Sequence, residues 1–384
     1  MHLCYLLLSP TFGMHQYTAD LANRAAAGVF TGGPAEVHLV TTTALARDRY
    51  SPAVQIHTPV TTSGTGFSPE GAQVAGVARV LRAVEESGAG LVHITGVHAW
   101  NVLLVHALHR RGLRVIHTLH DLHPHHGVRF TVMIRLWNRL IIASADQILV
   151  HGQRYRQQLL ASGVPAERVT YAPLLHLFLS YECSQTLASG ELPASGRGEP
   201  PTVLFFGRVE AYKGADTLLA AWAEVIAKGI MGRLIIAGPV AAGVRLPSLP
   251  PGVELRDRLI SDDEAVELFS LASLLVLPYR DATQSALVAA AYYWGVPVIV
   301  TNSGALPEYV AEGETGWIVA QSTGLRSEGA VAALAATLSQ ALADLPQLRR
   351  MGQQAQSWYC ANRQVEAAIL SAMYAKTGRG QRIH

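Results

Sequence analysis

The stretch Phe205-Phe-Gly-Arg-Val-Glu-Ala-Tyr-Lys-Gly-Ala-Asp-Thr-Leu-Leu219 contains the features that decide the fold. An apolar strand is predicted to end at Gly207, two cations follow at Arg208 and Lys213, and a helix is predicted to begin near Gly214. At the carboxyl end of a parallel strand, this order places two positive side chains and a helix N-terminus over the crevice where α/β sheets bind ligands. The stretch therefore predicts a diphosphate site, and the alternative is a pair of solvated surface cations.

A second stretch has the same character. Pro278-Tyr-Arg-Asp-Ala-Thr-Gln-Ser285 precedes a helix predicted to run to Trp294, and Gly295-Val-Pro-Val-Ile-Val-Thr-Asn-Ser-Gly-Ala-Leu-Pro-Glu308 follows it. Gln284 and Ser285 lie between the strand and the helix, where backbone N–H groups can bind phosphate oxygens. An ordinary helix cap would have the same sequence, so the local pattern leaves both interpretations open.

The two stretches, in this order and at this separation, resemble glycosyltransferase family 4, and the likeness covers nearly the whole second half. The combined pattern Gly-Arg-x4-Lys-Gly and Gly-x-Pro-Val-x5-Gly-x2-Pro-Glu is much more specific than either piece. The resemblance implies an α/β GT-B fold, with two Rossmann-like domains whose parallel sheets face a central cleft. It also implies roles for individual residues: catalysis for Arg208 and Lys213, and donor binding for Gly207, Gln284, Ser285 and Glu308. A glutamate at position 308 is also favoured simply by a helix dipole.

One feature departs from the family pattern. Many members carry two glutamates eight positions apart before the Gly-x-Pro-Val element, and the equivalent positions here are Ala282 and Ala290. Neither side chain can hydrogen-bond a sugar or a ribose. The chain instead resembles a subgroup with Ala-Thr-Gln-Ser at residues 282–285, and whether Asp281 partly replaces the first acid is left open.

The first half also alternates short apolar runs with amphipathic segments, such as Leu3 to Leu8 followed by a predicted helix from Tyr17 to Ala27. This alternation is typical of βαβ units with a parallel sheet. Gly13 lies in the turn between the two, and the resemblance implies that this turn lies near the donor phosphates or the acceptor. The turn lacks a Gly-x-Gly-x-x-Gly pattern, which disfavours a dinucleotide-dependent dehydrogenase.

Histidines concentrate near the predicted carboxyl ends of two strands, at His98 and in the segment Thr118-Leu-His-Asp-Leu-His-Pro-His-His-Gly127. His120-Asp121 resembles a His-Asp pair of related transferases, which implies a catalytic role, and we expect His98 and His125 to bind the acceptor. A zinc site and a buried structural role are the alternatives. We predict no metal site, because no cysteine joins the histidines and donor binding in the resembled family does not depend on a metal.

Length and composition frame these predictions. A chain of 384 residues is expected to form two domains, with residues 1–185 binding the acceptor and residues 201–355 binding the nucleotide sugar. Residues 186–200 are predicted to be the linker, and the helical segment 356–384 is predicted to cross back to the first domain. A net charge of +2, with scattered cations, disfavours nucleic acid as a partner. The three dispersed cysteines indicate a reducing compartment. The apolar start at Met1 is interpreted as a strand rather than a signal peptide, so we expect a cytoplasmic protein.

Together these features predict a metal-independent, cofactor-free, retaining transferase that moves a sugar from a nucleoside diphosphate to an acceptor hydroxyl. Its products would be glycans, glycolipids or glycosylated metabolites. A nucleotide-sugar epimerase or hydrolase, and a non-catalytic nucleotide-sugar-binding protein, are the alternatives. One further apolar segment is punctuated by arginines: Val128-Arg-Phe-Thr-Val-Met-Ile-Arg-Leu-Trp-Asn-Arg-Leu-Ile-Ile142. Arg135 and Arg139 share one helix face, which would suit an interfacial helix at the inner membrane face. The alternative is an ordinary core helix.

Overall fold

The computed structural model describes residues 1–9, 11–62, 75–122, 131–190, 200–320 and 328–376. The chain divides into two compact units. The first consists of Met1–Ser184 together with Arg363–His384, and the second consists of Gln185–Asn362. Each unit contains one parallel β-sheet with helices, which confirms the predicted pair of Rossmann-like α/β domains.

The first unit contains a seven-stranded parallel sheet in the order β3-β2-β1-β4-β5-β6-β7. Its strands are β1 (His2–Leu7), β2 (Glu36–Thr42), β3 (Val54–Val60), β4 (Leu91–Ile94), β5 (Arg114–Thr118), β6 (Gln147–Val150) and β7 (Val169–Tyr171). Its helices are α1 (Phe12–Ala26), α2 (Ala75–Glu86), α3 (Asn101–Arg110), α4 (Thr131–Ser144) and α5 (Gln153–Ala161), and α6 (Tyr181–Ala188) begins at its end. Leu3 to Leu7 are wholly buried, as expected for a strand covered on both faces.

The start of α1 differs from the prediction. The helix begins at Phe12 rather than Tyr17, so Gly13 lies in its first turn and not in a preceding loop. Thr11 has an extended backbone, and its carbonyl accepts a hydrogen bond from the His15 N–H at 3.2 Å. The early start is therefore set by backbone geometry at Thr11, whereas the prediction relied on apolar periodicity, which becomes clear only from Tyr17 onward.

The second unit contains a six-stranded parallel sheet in the order β10-β9-β8-β11-β12-β13. Its strands are β8 (Thr202–Phe206), β9 (Arg233–Ala237), β10 (Val253–Arg256), β11 (Leu274–Leu277), β12 (Val298–Thr301) and β13 (Gly316–Val319). Its helices are α7 (Ala215–Ala227), α8 (Asp262–Leu271), α9 (Leu287–Tyr293) and α10 (Glu328–Ala343), and α11 (Leu345–Ala375) begins here and ends in the first unit. The sequence did not predict β10, because this edge strand is only partly buried and has no continuous apolar run.

In both sheets the strand order reverses at one point, between β1 and β4 in the first and between β8 and β11 in the second. Open α/β sheets bind ligands outside the carboxyl ends of the strands at such a reversal. The carboxyl ends of β8 and β11 carry residues 207–214 and 278–285, which belong to the two stretches that the sequence singled out. The topology therefore brings together two segments that are about seventy positions apart in the chain.

The end of α11 is bound to α1 by charged side chains within the first unit. Arg24 pairs with Glu366 at 2.8 Å, and Arg363 pairs with both Asp20 and Glu366. Burial raises the pKa of the Asp20 carboxyl, but the Arg363 and Arg24 guanidinium groups outweigh it, and the pKa is well below its usual range. These pairs hold the last turns of α11 in the first unit.

Candidate active site

The loops after β8 and β11 pack directly against one another. Gly214 has a φ of +72°, and a β-carbon there would lie 2.1 Å from the carbonyl oxygen of Pro278. Both the left-handed backbone and the close approach require glycine at this position. The approach explains why Lys213, the residue before it, is held beside the second loop.

Lys213 is the more enclosed of the two predicted cations. Its Nζ lies 5.7 Å from the centroid of the Tyr279 ring, and 3.5 Å from the place that a β-carbon on Gly207 would occupy. Burial lowers the pKa of Lys213, and Glu210 and Tyr212 partly offset this effect. An ammonium group that has lost much of its water gains more from a bound anion than a solvated one does.

Arg208 occupies a different environment. Its side chain is 62% exposed, and its Nε lies 3.3 Å from a carboxylate oxygen of Glu210. Exposed ion pairs of this kind contribute at most about 1 kcal/mol, so a phosphate can replace the carboxylate at little cost. The two predicted cations thus have different surroundings: Lys213 lies beside the end of β8, whereas Arg208 lies on the surface.

Gln284 and Ser285 lie just ahead of α9 and are partly buried. The Ser285 Oγ accepts a hydrogen bond from the backbone N–H of Leu287 at 3.3 Å, as in a helix cap. Burial raises the pKa of the Tyr279 phenol, and its hydrogen bond to Ser285 opposes this only in part. Ser285 therefore connects the start of α9 to the aromatic ring that lies beside Lys213.

The two alanines that replace the family's glutamates are both covered by protein. Ala290 is fully buried within α9, and Ala282 is almost so. A β-carbon on Gly304 would lie 1.8 Å from the Ala282 carbonyl oxygen, and Ser303 Oγ accepts a hydrogen bond from the Ala282 N–H at 2.9 Å. Residues 282 and 303–304 therefore form tight backbone packing, and neither alanine presents a group to a ligand.

Glu308 follows β12, the neighbour of β11, at the same edge of the sheet. It lies in a short 3-10 turn, Leu306–Tyr309, and is partly buried. Its backbone N–H donates to the Ala305 carbonyl at 3.1 Å. A four-residue turn has a much smaller dipole than a full helix, so the dipole argument for a glutamate here is weaker than the sequence suggested.

Arg280, to which the sequence alone assigns no role, lies between the two loops. Its guanidinium donates to the Ala211 carbonyl at 2.8 Å and to Asp216 Oδ1 at 2.6 Å. No local sequence signal indicates this arrangement, because Arg280 and Asp216 are 64 positions apart. The pairing follows from the strand order alone.

In the first unit, His120 is buried at the carboxyl end of β5. Its Nε2 lies 2.9 Å from the Thr95 carbonyl oxygen, and its ring lies edge-on to Tyr17 with a centroid distance of 5.0 Å. Burial lowers the pKa of His120. The neutral ring must donate through Nε2, because a carbonyl only accepts, and this leaves Nδ1 as the acceptor nitrogen. Asp121 follows and is partly buried, and its carbonyl accepts from Asn138 Nδ2 at 2.9 Å.

The remaining predicted residues of the first half have different surroundings. His98 is fully buried; its Nδ1 accepts from the Trp100 N–H at 3.2 Å and its carbonyl from Trp137 Nε1 at 3.2 Å. Gly13 is exposed, and a β-carbon there would meet no atom within 4 Å, so packing within the protein does not demand glycine. His125 lies outside the described residues. Within the described ranges, no cluster of three or more His, Cys, Asp or Glu side chains is arranged to hold a metal ion.

Comparisons with known proteins agree with this architecture. Residues 200–344 match the family model "Glycosyl transferases group 1", and residues 12–174 match "Glycosyl transferase 4-like domain". A D-inositol 3-phosphate glycosyltransferase of Nocardia farcinica is 26% identical over 298 residues, covering 72% of this chain and 64% of the relative. The chain thus spans slightly less than two thirds of the length of that curated relative.

Two solved structures share the fold. Sucrose-phosphate synthase from Thermosynechococcus elongatus has a TM-score of 0.71 at 19% identity, covering 97% of this chain and 98% of that one. Anabaena HepE, in complex with UDP and glucose, has a TM-score of 0.70 at 16% identity, covering 98% and 100%. The two family models together span most of the chain, and the parallel sheets have the GT-B architecture of these neighbours. The chain therefore belongs to the group 1 glycosyltransferases, a family of transferase enzymes with the GT-B fold.

Proposed function

We propose that this protein transfers a sugar from a nucleoside diphosphate sugar to an acceptor hydroxyl. The observation that carries the proposal is the position of the Lys213 ammonium, beside Gly207 and the Tyr279 ring at the strand-order reversal of the second sheet. As the bond from the anomeric carbon to the diphosphate breaks, negative charge grows on the leaving group. A fixed cation in a water-poor site stabilises that charge more than it stabilises the bound donor.

The other donor contacts follow from the same geometry. Arg208 exchanges its exposed pairing with Glu210 for a phosphate oxygen, and backbone N–H groups near Gln284 and Ser285 bind the remaining oxygens. Glu308 binds a hydroxyl of the sugar or the ribose. The donor bond breaks, the acceptor oxygen bonds to the anomeric carbon on the same face, and the acceptor proton passes to the departing diphosphate. This retaining route needs no carboxylate pair, which is compatible with alanine at positions 282 and 290.

We assign acceptor-side roles to residues of the first unit. Neutral His120, with Nδ1 as its acceptor nitrogen, and Asp121 act in catalysis. His98 and His125 contact the acceptor, and Gly13 leaves space for a ligand beside the first turn of α1. Because His98 is buried in this structure, its contact requires a side-chain or loop rearrangement on binding.

A thermal-shift screen against UDP, GDP, dTDP and ADP, and the corresponding sugars, tests donor binding, since a ligand that binds the native state stabilises it. UDP is the first candidate, because a GT-B neighbour holds UDP with glucose. The relative from Nocardia farcinica makes a phosphorylated cyclitol the first acceptor to test. Transfer that persists in EDTA and yields the donor's anomeric configuration is expected; failure of all four nucleotides to stabilise the protein would contradict the proposal.

Two other functions are distinguished by simple assays. An epimerase or hydrolase consumes the nucleotide sugar without any acceptor, whereas the proposed transferase needs one. A non-catalytic binding protein, which the alanines at positions 282 and 290 favour, shows stabilisation by the donor but no turnover with any acceptor.

We also propose that the first unit contacts the cytoplasmic face of a membrane peripherally. α4 buries Trp137, as a core helix would, but its other face exposes Met133, Leu136 and Leu140, alternating with the exposed Arg135 and Arg139. An apolar strip bordered by cations suits an anionic lipid surface. No helix within the described ranges is long and apolar enough to cross a bilayer.

A further inference from the structure

Arg280 forms hydrogen bonds with residues that precede and follow Lys213 in the chain. Its backbone N–H donates to the Tyr212 carbonyl at 2.7 Å, and its guanidinium donates to the carbonyl of Ala211 at 2.8 Å. These are the two residues that precede Lys213. The other guanidinium nitrogen donates to Asp216 Oδ1 at 2.6 Å and to Thr217 Oγ1 at 2.8 Å, on the first turn of α7. The backbone and side chain of Arg280 thus contact residues on both sides of Lys213.

The charge of Arg280 is already engaged. The Arg280 and Asp216 side chains are only 14% and 17% exposed, and the ion pair between them is direct. By contrast, Arg208 is mostly exposed and pairs only at the surface. A guanidinium committed to a carboxylate, a hydroxyl and a carbonyl is suited to holding backbone in place rather than to binding a ligand phosphate.

These contacts of Arg280 also affect the position of the Lys213 side chain. Tyr279, whose ring lies beside the Lys213 ammonium, is the residue next to Arg280 in the chain. The contacts of Arg280 therefore fix the distance between the backbone that carries the ammonium and the backbone that carries the ring. Gly214, packed on Pro278, adds a second fixed point on the same two loops.

We propose that Arg280, through its pairing with Asp216, is a positioning residue that holds Lys213 against the end of β8, where the donor diphosphate binds. The role of Lys213 in donor binding rests on the function proposed above, whereas the contacts of Arg280 around Lys213 are present in the free protein. Without the Arg280 side chain, the turn at residues 211–213 keeps its backbone hydrogen bond from residue 280 but loses the guanidinium contacts with Ala211 and Asp216, and the ammonium moves away from the Tyr279 ring.

The chain offers a direct spectroscopic test, because it contains only three lysines: Lys213, Lys228 and Lys376. Reductive ¹³C-methylation gives each a separate NMR signal and keeps the positive charge. Lys228 and Lys376 are exposed and serve as internal references. In the wild type we expect the Lys213 methyl signal to be displaced by the Tyr279 ring and to titrate at lower pH than an ordinary lysine, because burial lowers its pKa.

In Arg280→Met the Lys213 signal is expected to move to the position of the two reference lysines, with a titration midpoint closer to that of an ordinary lysine. Arg280→Lys should not restore it, because an ammonium cannot span the Ala211 carbonyl and Asp216 together. The matched control is Arg258→Met, which removes an arginine paired with Glu264 in the same unit. The control should leave the Lys213 signal unchanged. An unchanged Lys213 signal in folded Arg280→Met would overturn the proposal.

A double-mutant cycle on UDP affinity, measured by calorimetry, gives the functional readout. Arg280→Met and Lys213→Met should each weaken UDP binding by about tenfold, and the double variant should be no more than about tenfold weaker than wild type, because Arg280 acts through Lys213. A hundredfold loss in the double variant would show that Arg280 binds the nucleotide independently and would overturn the positioning role. Absence of UDP binding to the wild type would count against UDP as donor. The NMR result would then decide whether Arg280 positions Lys213.

Discussion

A β-carbon on Gly214 would lie 2.1 Å from the carbonyl oxygen of Pro278, so the loop after β8 and the loop after β11 approach as closely as backbone allows. Gly214→Ala is therefore expected to cost more than the about 1–2 kcal/mol of a left-handed residue, since one of the loops must also move. Urea unfolding of the variant measures the loss.

The matched control for this substitution is Gly243→Ala. Gly243 also has a positive φ, +85°, but a β-carbon there meets nothing within 4 Å. Gly243→Ala should lower the free energy of unfolding only by the about 1–2 kcal/mol that a left-handed backbone costs alanine. Equal losses in the two variants would show that the close approach to Pro278 adds nothing to the cost of Gly214→Ala.

The two cations of the proposed donor site should differ in their effect on transfer. Lys213→Met and Arg208→Ala are each expected to lower kcat/KM by at least about tenfold, or roughly 1.4 kcal/mol of transition-state stabilisation, and Lys213→Met by more. The enclosed ammonium has less competing water than the exposed guanidinium. Near-normal rates in both variants, with the fold intact by circular dichroism, would remove the diphosphate assignment.

Acid should destabilise the first unit through its buried histidines. Burial is the main cause that lowers the pKa of His117 to about 3 and of His176 to about 4, whereas an unfolded histidine titrates near 6.5. Below pH 6.5 the unfolded chain binds more protons than the folded one. The free energy of unfolding is therefore expected to fall as the pH falls from about 6.5 to about 4, by about 1.4 kcal/mol per pH unit for each such histidine.

Denaturant unfolding between pH 7 and pH 4.5 measures this slope. His117→Gln keeps an acceptor for Asn101 Nδ2, which lies 3.2 Å from His117 Nε2, but removes the titrating group. We expect a smaller pH slope in this variant than in the wild type. A His117→Gln slope equal to that of the wild type would contradict the linkage.

The exposed apolar strip of α4 should bind anionic vesicles. Flotation at low salt with phosphatidylglycerol vesicles is expected to recover the protein, and neutral vesicles are expected to recover much less, because cations beside the strip add electrostatic attraction. Leu136→Glu should abolish recovery, since Leu136 is more exposed, at 56%, than Met133 and Leu140.

Leu259→Glu is the control for flotation, because Leu259 is also exposed but lies in the second unit. It should float like the wild type. If the wild type fails to bind anionic vesicles at low salt, the proposed membrane contact is wrong.

Much of the architecture was determined locally by the sequence. Continuous apolar runs such as Thr202 to Phe206 predict buried parallel strands, and Gly207 and Gly214 predict the strand-to-helix turn after β8, because this turn forms from residues close in the chain. At the start of α8, Ser261 and Glu264 have the spacing of a capping box, and the Ser261 side chain accepts a hydrogen bond from the Glu264 N–H.

Other features depended on the tertiary structure. The pairing of Arg280 with Asp216 and the approach of Gly214 to Pro278 join segments 64 positions apart, and only the strand order between β8 and β11 brings them together. The same reason explains why the sequence located His98 near the carboxyl end of a strand but did not reveal its burial against Trp100 and Trp137. Residue type and spacing fix local backbone and charge, whereas burial and long-range pairing arise only when the sheet assembles, because neighbouring strands and helices then supply the contacts.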